Sequence, residues 1–168
     1  MRWPTPEAMS KASRSQLEKV IRPLGLVKRA STLTALAEEV RRLGEVPRSV
    51  MELRSLPGIG RYAATATAAA AFEADEPSVD SVSARVYRRY FGIPAEAEPS
   101  EDRGLWETAR QASRGSPARE LNWAVLDLAA MICLPKVPRC PSCPLQKGCT
   151  WANAMSHPSS ILRASARR

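Results

Sequence analysis

All four cysteines of the chain lie in one short run, ICLPKVPRCPSCPLQKGC. They are Cys133, Cys140, Cys143 and Cys149, a spacing of C-x6-C-x2-C-x5-C. Four prolines and a glycine interrupt the run and disfavour a helix, so the four sulfurs can converge. Four thiolates suit either a zinc ion or an iron–sulfur cluster, and the number of ligands alone does not separate the two. The run therefore predicts a metal centre of one of these two kinds.

Asp80 is a candidate functional carboxylate. It lies in the stretch PSVDSVSARVYRRYFG. The stretch predicts a helix over residues 79–91 that is capped by Pro77 and Ser78, which puts Asp80 in its first turn. There, the positive end of the helix dipole and the backbone N–H groups favour the ionised carboxylate. We therefore expect Asp80 to stay charged, and taken alone an aspartate at this position is most often a residue that only caps the helix.

The stretch LPGIGRYAATATAAAAF places two glycines around one apolar residue, between two predicted helices. Such a turn allows positive φ and leaves backbone N–H groups uncovered at the start of the second helix. We expect Ile59 to pack against the helix pair while the amides of Gly58, Gly60 and Arg61 face a phosphate, in a grip that is independent of base sequence. The alternative is a plain turn between helices with a glycine C-cap.

Helices must position all of these residues. Apolar residues recur at spacings of three and four, which indicates an all-α fold. Helices are predicted over residues 5–12, 15–21, 30–43, 49–55, 61–72, 79–91, 100–112 and 119–132. We divide the chain into a helical lobe over 1–115, with a helix–hairpin–helix unit at about 49–72; a segment over 116–155 that holds the last helix and the cysteine run; and a basic flexible tail over 156–168.

The bulk composition narrows the class of protein. The 168 residues suffice for one domain or two small lobes, and the formal charge of +8 suits a polyanionic partner such as nucleic acid, or serves solubility alone. No apolar run approaches the length of a membrane span, and no apolar segment follows the first four residues as in a signal peptide. We therefore expect a cytoplasmic protein without membrane contact, in which clustered cysteines are metal ligands rather than disulfides.

With these three elements in this order, the chain resembles the helix-hairpin-helix (HhH-GPD) DNA glycosylases of the endonuclease III superfamily, over about residues 4–152. That family pairs an LPGxG hairpin with a VD motif, here LPGIGRY and VDSVSARVYRRYFG, and many members end in this cysteine spacing. The resemblance implies a helical barrel lobe, incomplete at its N-terminus in this chain, and a loop whose four cysteines bind a 4Fe–4S cluster.

The implied activity is monofunctional base excision from double-stranded DNA that carries a mismatched or damaged base, by a monomer that associates with the nucleoid when bound. Bifunctional members have a Schiff-base lysine after GIGR, where this chain has Tyr62, which argues against a lysine-dependent lyase. Tyrosine there resembles thymine–guanine mismatch glycosylases and some adenine glycosylases. The stretch RVYRRYFG and the lack of a C-terminal recognition domain favour thymine or uracil opposite guanine over adenine opposite guanine or 8-oxoguanine.

The resemblance also implies roles for individual residues. Asp80 would stabilise the oxocarbenium-like sugar, and Tyr62 would line the pocket for the flipped base. The residues expected to contact DNA are Leu56, Pro57, Gly58, Ile59, Gly60, Arg61, Arg85, Lys136 and Arg139.

Two departures from the family pattern lead to an alternative. Val82 stands where family members usually have asparagine, so we expect Asp80 to lack a polar contact and to be held less well. The family also has further helices before the segment that corresponds to WPTPEAM. The alternative is therefore a truncated, catalytically impaired iron–sulfur relative that binds DNA, and a zinc-stabilised nucleic-acid module is a third hypothesis.

Overall fold

A computed structural model of the chain describes residues 2–156. Over that range the regular structure is helical and contains no β-strand, which confirms the all-α prediction. The α-helices are α1 (Pro6–Ser10), α2 (Arg14–Ile21), α3 (Ala30–Leu43), α4 (Val50–Ser55), α5 (Arg61–Phe72), α6 (Ser81–Phe91), α7 (Arg103–Ser113), α8 (Ala118–Met131) and α9 (Thr150–Ser156). None of these helices is long and apolar enough to cross a membrane.

The described residues form two compact units, and the division between them falls inside α5, between Ala64 and Thr65. In the first unit, α1 and α2 both pack against α3. Small and branched apolar side chains fill its core: Ala12, Leu17, Ile21 and Ala30, with Trp3, Met9 and Leu33 packed against them. Helix α2 begins at a capping box, in which Ser13 and Gln16 each bond the other's backbone N–H.

Helix α6 is the centre of the second unit, because it contacts α7, α8 and α9. Its buried face places Ser83, Ala84, Val86 and Tyr87 in the core. The apolar core of this unit comprises Val79, Ala84, Val86, Tyr87, Leu105, Trp106, Ala109, Val125 and Ala129. Close packing against three helices fixes the position of α6 and therefore of the residues at its two ends.

Helices α3 and α5 have the predicted bounds, whereas α6 and α7 begin later than predicted. Helix α6 begins at Ser81 rather than 79 because the carboxylate of Asp80 caps it from outside, so Asp80 is the N-cap residue and not part of the first turn. Helix α7 begins at Arg103 rather than 100 because Asp102 is its cap and accepts a hydrogen bond from the Leu105 N–H at 2.9 Å.

No helix is predicted after residue 132, but α9 begins directly after Cys149. Its seven residues are too few to give a recognisable helical periodicity. Of the predicted basic tail, residues 157–168 lie outside the described residues.

Candidate functional site

The LPGIG turn is a tight bend that only one of its two glycines makes possible. The Ile59 N–H donates to the Leu56 carbonyl at 3.2 Å, and Gly58 has a φ of +73°, as a type II turn with proline in its second position requires. A β-carbon on Gly58 would also collide with the methyl group of Thr32 on α3. Gly60 has no positive φ and has open space around its α-carbon, so its conformation needs no glycine.

Helix α5 begins directly after this bend. Its first backbone hydrogen bond joins the Ala64 N–H to the Gly60 carbonyl at 3.0 Å, and the N–H groups of the first turn have no acceptor within the helix itself. Ile59 is half-buried, as expected, and Leu56 is buried. Tyr62 lies on the first turn of α5 with 39% of its surface exposed. The bend is therefore a tight turn directly before α5, and both the anion seat and the contact of residues 56–61 with DNA stay predictions.

In the second unit, Asp80 stands at the head of α6 with an asymmetrically bonded carboxylate. Its Oδ1 accepts hydrogen bonds from the Val82 N–H at 3.0 Å, the Ser83 N–H at 2.7 Å and the Ser83 hydroxyl at 2.8 Å. Its Oδ2 accepts none from the described part of the chain. The side chain is half-buried, so one oxygen is fixed by the helix and the other remains available to a partner.

The polar contact expected to be missing at Val82 comes from Ser83 instead. The Ser83 hydroxyl accepts the Asp80 N–H at 2.9 Å and closes a capping box around the carboxylate. Val82 is apolar and packs against the core of the second unit. The expectation that Asp80 is held less well took only position 82 into account, and the structure gives its carboxylate three hydrogen bonds.

Asn122 of α8 fixes the extended segment that leads into α6. Its Oδ1 accepts the Ser78 N–H at 2.8 Å, and its Nδ2 donates to the Ser78 hydroxyl at 3.2 Å and to the Glu76 carbonyl at 3.3 Å. Asn122 and Ser78 are both buried, so the two bonds between them form away from solvent. The segment that ends at Asp80 is therefore attached to α8 as well as to α6.

Arg85 joins α6 to the start of the cysteine run. Its Nε donates to the Cys133 carbonyl at 2.8 Å and its Nη2 to the Ala129 carbonyl at 3.0 Å. The guanidinium therefore satisfies the carbonyl of Ala129 in the last turn of α8, where carbonyls lack partners within the helix, and that of Cys133 just beyond it. Contact between Arg85 and DNA stays a prediction, and the observed contacts give this side chain a structural role.

Arg89, one turn further along α6, touches both ends of the cysteine run. Its Nη1 lies 3.4 Å from Cys133 Sγ and 2.7 Å from the Leu134 carbonyl, and its Nη2 donates to the Pro135 carbonyl at 2.7 Å. The Cys149 thiol donates to the backbone carbonyl of Arg89 at 3.6 Å. The Trp151 ring lies against the guanidinium, 4.9 Å away, in a cation–π contact.

The structure brings all four cysteines to one cavity. Cys133, Cys140, Cys143 and Cys149 line it together with side chains that include Arg89 and Trp151, and its volume is about 300 Å³, including the part open to solvent. No three His, Cys, Asp or Glu side chains between residues 2 and 156 converge closely enough to hold a single metal ion. The sulfurs thus surround a space, with an arginine N–H directed at one of them.

Burial and mutual repulsion act on the thiols in this cavity. Burial raises the pKa of the Cys140 thiol, and the negative charge that the other three cysteines would carry raises it further, while Arg89 opposes the rise. The other three cysteines and Arg89 therefore all act electrostatically on the Cys140 thiol. Lys136 and Arg139 lie in the same loop with exposed side chains, and their contact with DNA stays a prediction.

Comparison with protein families supports the resemblance that the sequence suggested. Residues 1–111 match the model of the HhH-GPD superfamily of base excision DNA repair proteins, a range that contains the hairpin and Asp80. The chain belongs to this superfamily. The matched region thus begins before α1 and ends in the last turn of α7, and the cysteine run lies after it.

Curated proteins that are similar to this chain include several DNA glycosylases. The chain is 37% identical over 158 residues to a thymine-DNA glycosylase of Aeropyrum pernix and 41% identical over 150 residues to a thymine/uracil-DNA glycosylase of Pyrobaculum aerophilum. It is 35% identical over 155 residues to an adenine DNA glycosylase of Mycolicibacterium smegmatis. These matches cover 90%, 86% and 91% of this chain but only 71%, 65% and 52% of the relatives.

Solved structures agree with the HhH-GPD assignment. A thermostable thymine-DNA glycosylase superposes with a TM-score of 0.83 at 33% identity, over 90% of this chain and 71% of that protein. Endonuclease III trapped as a covalent intermediate with DNA superposes with a TM-score of 0.81 at 26% identity, over 93% and 73% of the two chains. The helical arrangement of this chain is therefore that of the endonuclease III-like glycosylases.

Three residues that shape the site are absent from the sequence prediction. Ser83 had a local signal, since an aspartate followed three residues later by serine resembles a capping box. Asn122 and Arg89 had no such signal, because their partners lie 44 or more residues away along the chain. Such pairs become visible only when the helices are packed.

Proposed function

We propose that this chain is a monofunctional DNA glycosylase that hydrolyses the N-glycosidic bond of thymine or uracil opposite guanine in double-stranded DNA. The observation that carries the proposal is the Asp80 carboxylate, with Oδ1 held by three hydrogen bonds and Oδ2 available to a partner. The relatives named for thymine and uracil support the choice of base.

Asp80 suits the charge that this hydrolysis develops. As the bond between C1′ and the base nitrogen breaks, its electron pair leaves with the base and the sugar becomes oxocarbenium-like. A fixed carboxylate stabilises that positive charge, and water then adds its oxygen to C1′ and releases a proton. Because Oδ1 is saturated, Oδ2 is the oxygen that would face the sugar.

The hairpin and Tyr62 would bind the substrate. Amides at the start of α5, and the turn centred on Gly58, suit a DNA phosphate next to the target nucleotide. Tyr62 offers an aromatic face and a hydroxyl group to a base that has left the stack. The basic side chains Lys136 and Arg139 would add contacts to the backbone of the duplex.

We also propose that the four cysteines hold a 4Fe–4S cluster. Four thiolates in one short loop line the same cavity and would supply one ligand for each iron of such a cluster. A zinc ion bound by the same four sulfurs is the alternative. When bound, the cluster would cross-link the loop that carries Lys136 and Arg139. Arg89 would lie close enough to donate a hydrogen bond to Cys133 Sγ.

The activity is tested with the purified chain and duplexes that contain T:G, U:G, A:G or A opposite 8-oxoguanine, followed by alkali to cleave abasic sites. Strand scission is expected with T:G and U:G and should disappear in Asp80→Asn. Scission only with the adenine duplexes would favour the adenine activity named for the Mycolicibacterium smegmatis relative. Salt-dependent binding of duplex without scission, for the chain and for a longer version, would favour the catalytically impaired DNA-binding relative.

Separate measurements test the proposed cluster, the monomeric state and the location in the cell. Four iron atoms per chain, with the brown colour of a cluster, would support the cluster, whereas one zinc atom in a colourless protein would overturn it. Gel filtration with and without duplex tests the proposal that the chain acts as a monomer. Imaging of a tagged chain tests the proposed association with the nucleoid in the cytoplasm.

A further inference from the structure

We propose that Ser83 is the positioning residue of the site: its hydroxyl sets the orientation of the Asp80 carboxylate and so determines which oxygen faces the sugar. This inference rests on the proposed function, because it assigns Asp80 the catalytic charge. It concerns a residue one position away from the asparagine expected in the family pattern.

Two hydrogen bonds between these residues form a ring, in which the Ser83 hydroxyl both accepts from and donates to Asp80. The Asp80 N–H donates to Ser83 Oγ at 2.9 Å, and the Ser83 hydroxyl donates to Asp80 Oδ1 at 2.8 Å. A hydroxyl has one proton to donate and lone pairs to accept, so both bonds exist together. The Ser83 hydroxyl thus bridges the backbone N–H of Asp80 and the Oδ1 atom of the Asp80 side chain, which fixes the rotation of the carboxyl group.

Burial makes this orientation hard to change. Ser83 is 1% exposed, so its hydroxyl has no access to water as an alternative partner. The hydroxyl has one other acceptor within reach, the Asp80 carbonyl at the longer distance of 3.4 Å, so the shorter bond to Oδ1 at 2.8 Å is favoured. Rotation of the whole side chain would also leave the Asp80 N–H unsatisfied. The half-buried Asp80 is therefore held by a residue that is itself fully enclosed.

The role goes beyond capping the helix. An aspartate needs only the N–H groups of the second and third helical residues to act as a cap, and Val82 and Ser83 supply both. The hydroxyl adds a third donor to the same oxygen, Oδ1, and leaves Oδ2 without a partner among the described residues. A group that saturates one oxygen and spares the other determines which oxygen has lone pairs left for a partner.

The test compares Ser83→Ala with Ser81→Ala, a serine on the exposed side of the same helical turn. The first readout is the single-turnover rate of base release from the T:G duplex at saturating enzyme. We expect Ser83→Ala to lower this rate about tenfold or more, since it removes a hydrogen bond to a charged group. Ser81→Ala should keep the rate, and all variants should bind an unmodified duplex equally well.

A second readout does not need turnover. A duplex that carries a positively charged pyrrolidine in place of the sugar resembles the transition state, whereas a neutral tetrahydrofuran analogue does not. We expect the wild-type chain to prefer the charged analogue, and Ser83→Ala to lose most of that preference. Adding Val82→Asn to Ser83→Ala should restore part of it, because an amide at position 82 offers a new donor, and Ser83→Thr should retain it.

The outcomes separate the two proposals. Equal rates and equal analogue preference for Ser83→Ala and the wild type would overturn the role of Ser83. A wild-type chain that releases no base but loses its analogue preference on Ser83→Ala would contradict the proposed activity and leave the positioning role intact. No preference for the charged analogue in the wild type would overturn both.

Discussion

The side-chain oxygen of Asn122 accepts the backbone N–H of Ser78 at 2.8 Å, which attaches α8 to the segment two residues before Asp80. This bond is buried, and the two other hydrogen bonds of Asn122 go to the same segment. A side chain on one helix thus defines the path by which the chain enters another.

Replacement of Asn122 by alanine should destabilise the second unit. The change leaves the Ser78 N–H without an acceptor in a buried position, which costs about 1–3 kcal/mol of unfolding free energy. Urea denaturation measures the loss. Asn153→Ala, an exposed asparagine on α9 with one long hydrogen bond, is the matched control and should change stability by less than about 0.5 kcal/mol. Equal effects of the two changes would contradict the role of Asn122.

Replacement of Asp102 by asparagine should reveal a pH-dependent contribution to stability. Hydrogen bonds from Arg88, at 2.9 Å, and from the Leu105 N–H hold the pKa of the Asp102 carboxyl below its ordinary value of 3.8. A depressed carboxyl pKa stabilises the fold at pH values above the ordinary pKa, and the contribution is lost as the pH falls through the lowered value. At pH 7 we expect Asp102→Asn to be less stable by about 1–3 kcal/mol.

The difference between the wild type and Asp102→Asn should shrink as the pH falls from 5 towards 2. Chemical denaturation at a series of pH values measures it. Glu101→Gln, a change to an exposed carboxylate in the turn directly before the same helix, is the comparison for general acid effects. A constant difference between wild type and Asp102→Asn across this range would contradict the assignment.

Replacement of Gly58 by alanine should destabilise the first unit. Alanine would have to adopt a left-handed φ of +73°, at a cost of about 1–2 kcal/mol, and its β-carbon would press on the Thr32 methyl group. Gly60→Ala is the matched control, because a β-carbon there would meet no other atom within 4 Å and its φ is not positive. Thermal unfolding compares the two variants.

A Thr32→Ala change added to Gly58→Ala separates the two causes. The double variant should recover the part that comes from the collision with the methyl group but not the part that comes from φ. Equal melting temperatures for Gly58→Ala and Gly60→Ala would show that the bend does not depend on Gly58.

Replacement of Arg89 by lysine should loosen the cysteine run. Lysine keeps the charge but cannot donate at once to the Leu134 and Pro135 carbonyls and approach Cys133 Sγ as the planar guanidinium does. If the proposed cluster is present, we expect several-fold faster release of iron to a chelator, followed by visible absorbance. Arg103→Lys, on an exposed arginine of α7, should leave the release rate unchanged. Equal release rates for both variants would contradict the role of Arg89.

The amphipathic helices could be predicted because their signals are local. The apolar spacing of α3 and the glycine that ends it gave both of its bounds, and the LPGIG stretch gave the bend before α5. The start of α6 was misplaced because Pro77 and Ser78 look like a cap, although Ser78 is bonded to Asn122 and Asp80 performs the capping. A competition between neighbouring caps is decided by packing with α8, which the local pattern does not contain.

The sequence indicated which residues lie at the site more reliably than it indicated which groups those residues contact. The four cysteines line one cavity, as their spacing indicated. Arg85, expected to contact DNA, donates to one carbonyl in the last turn of α8 and to one just beyond it. These contacts depend on how α6 packs against α8 rather than on any feature of its own helix.

The hydroxyl of Ser83 has a consequence for how related chains are recognised. If an acid at the head of a helix can be oriented from either of two neighbouring positions, then a serine at the second is an evolutionary substitute for an amide at the first. A motif search that insists on asparagine would discard such chains as inactive, whereas one that asks for a donor within reach of the carboxylate would retain them.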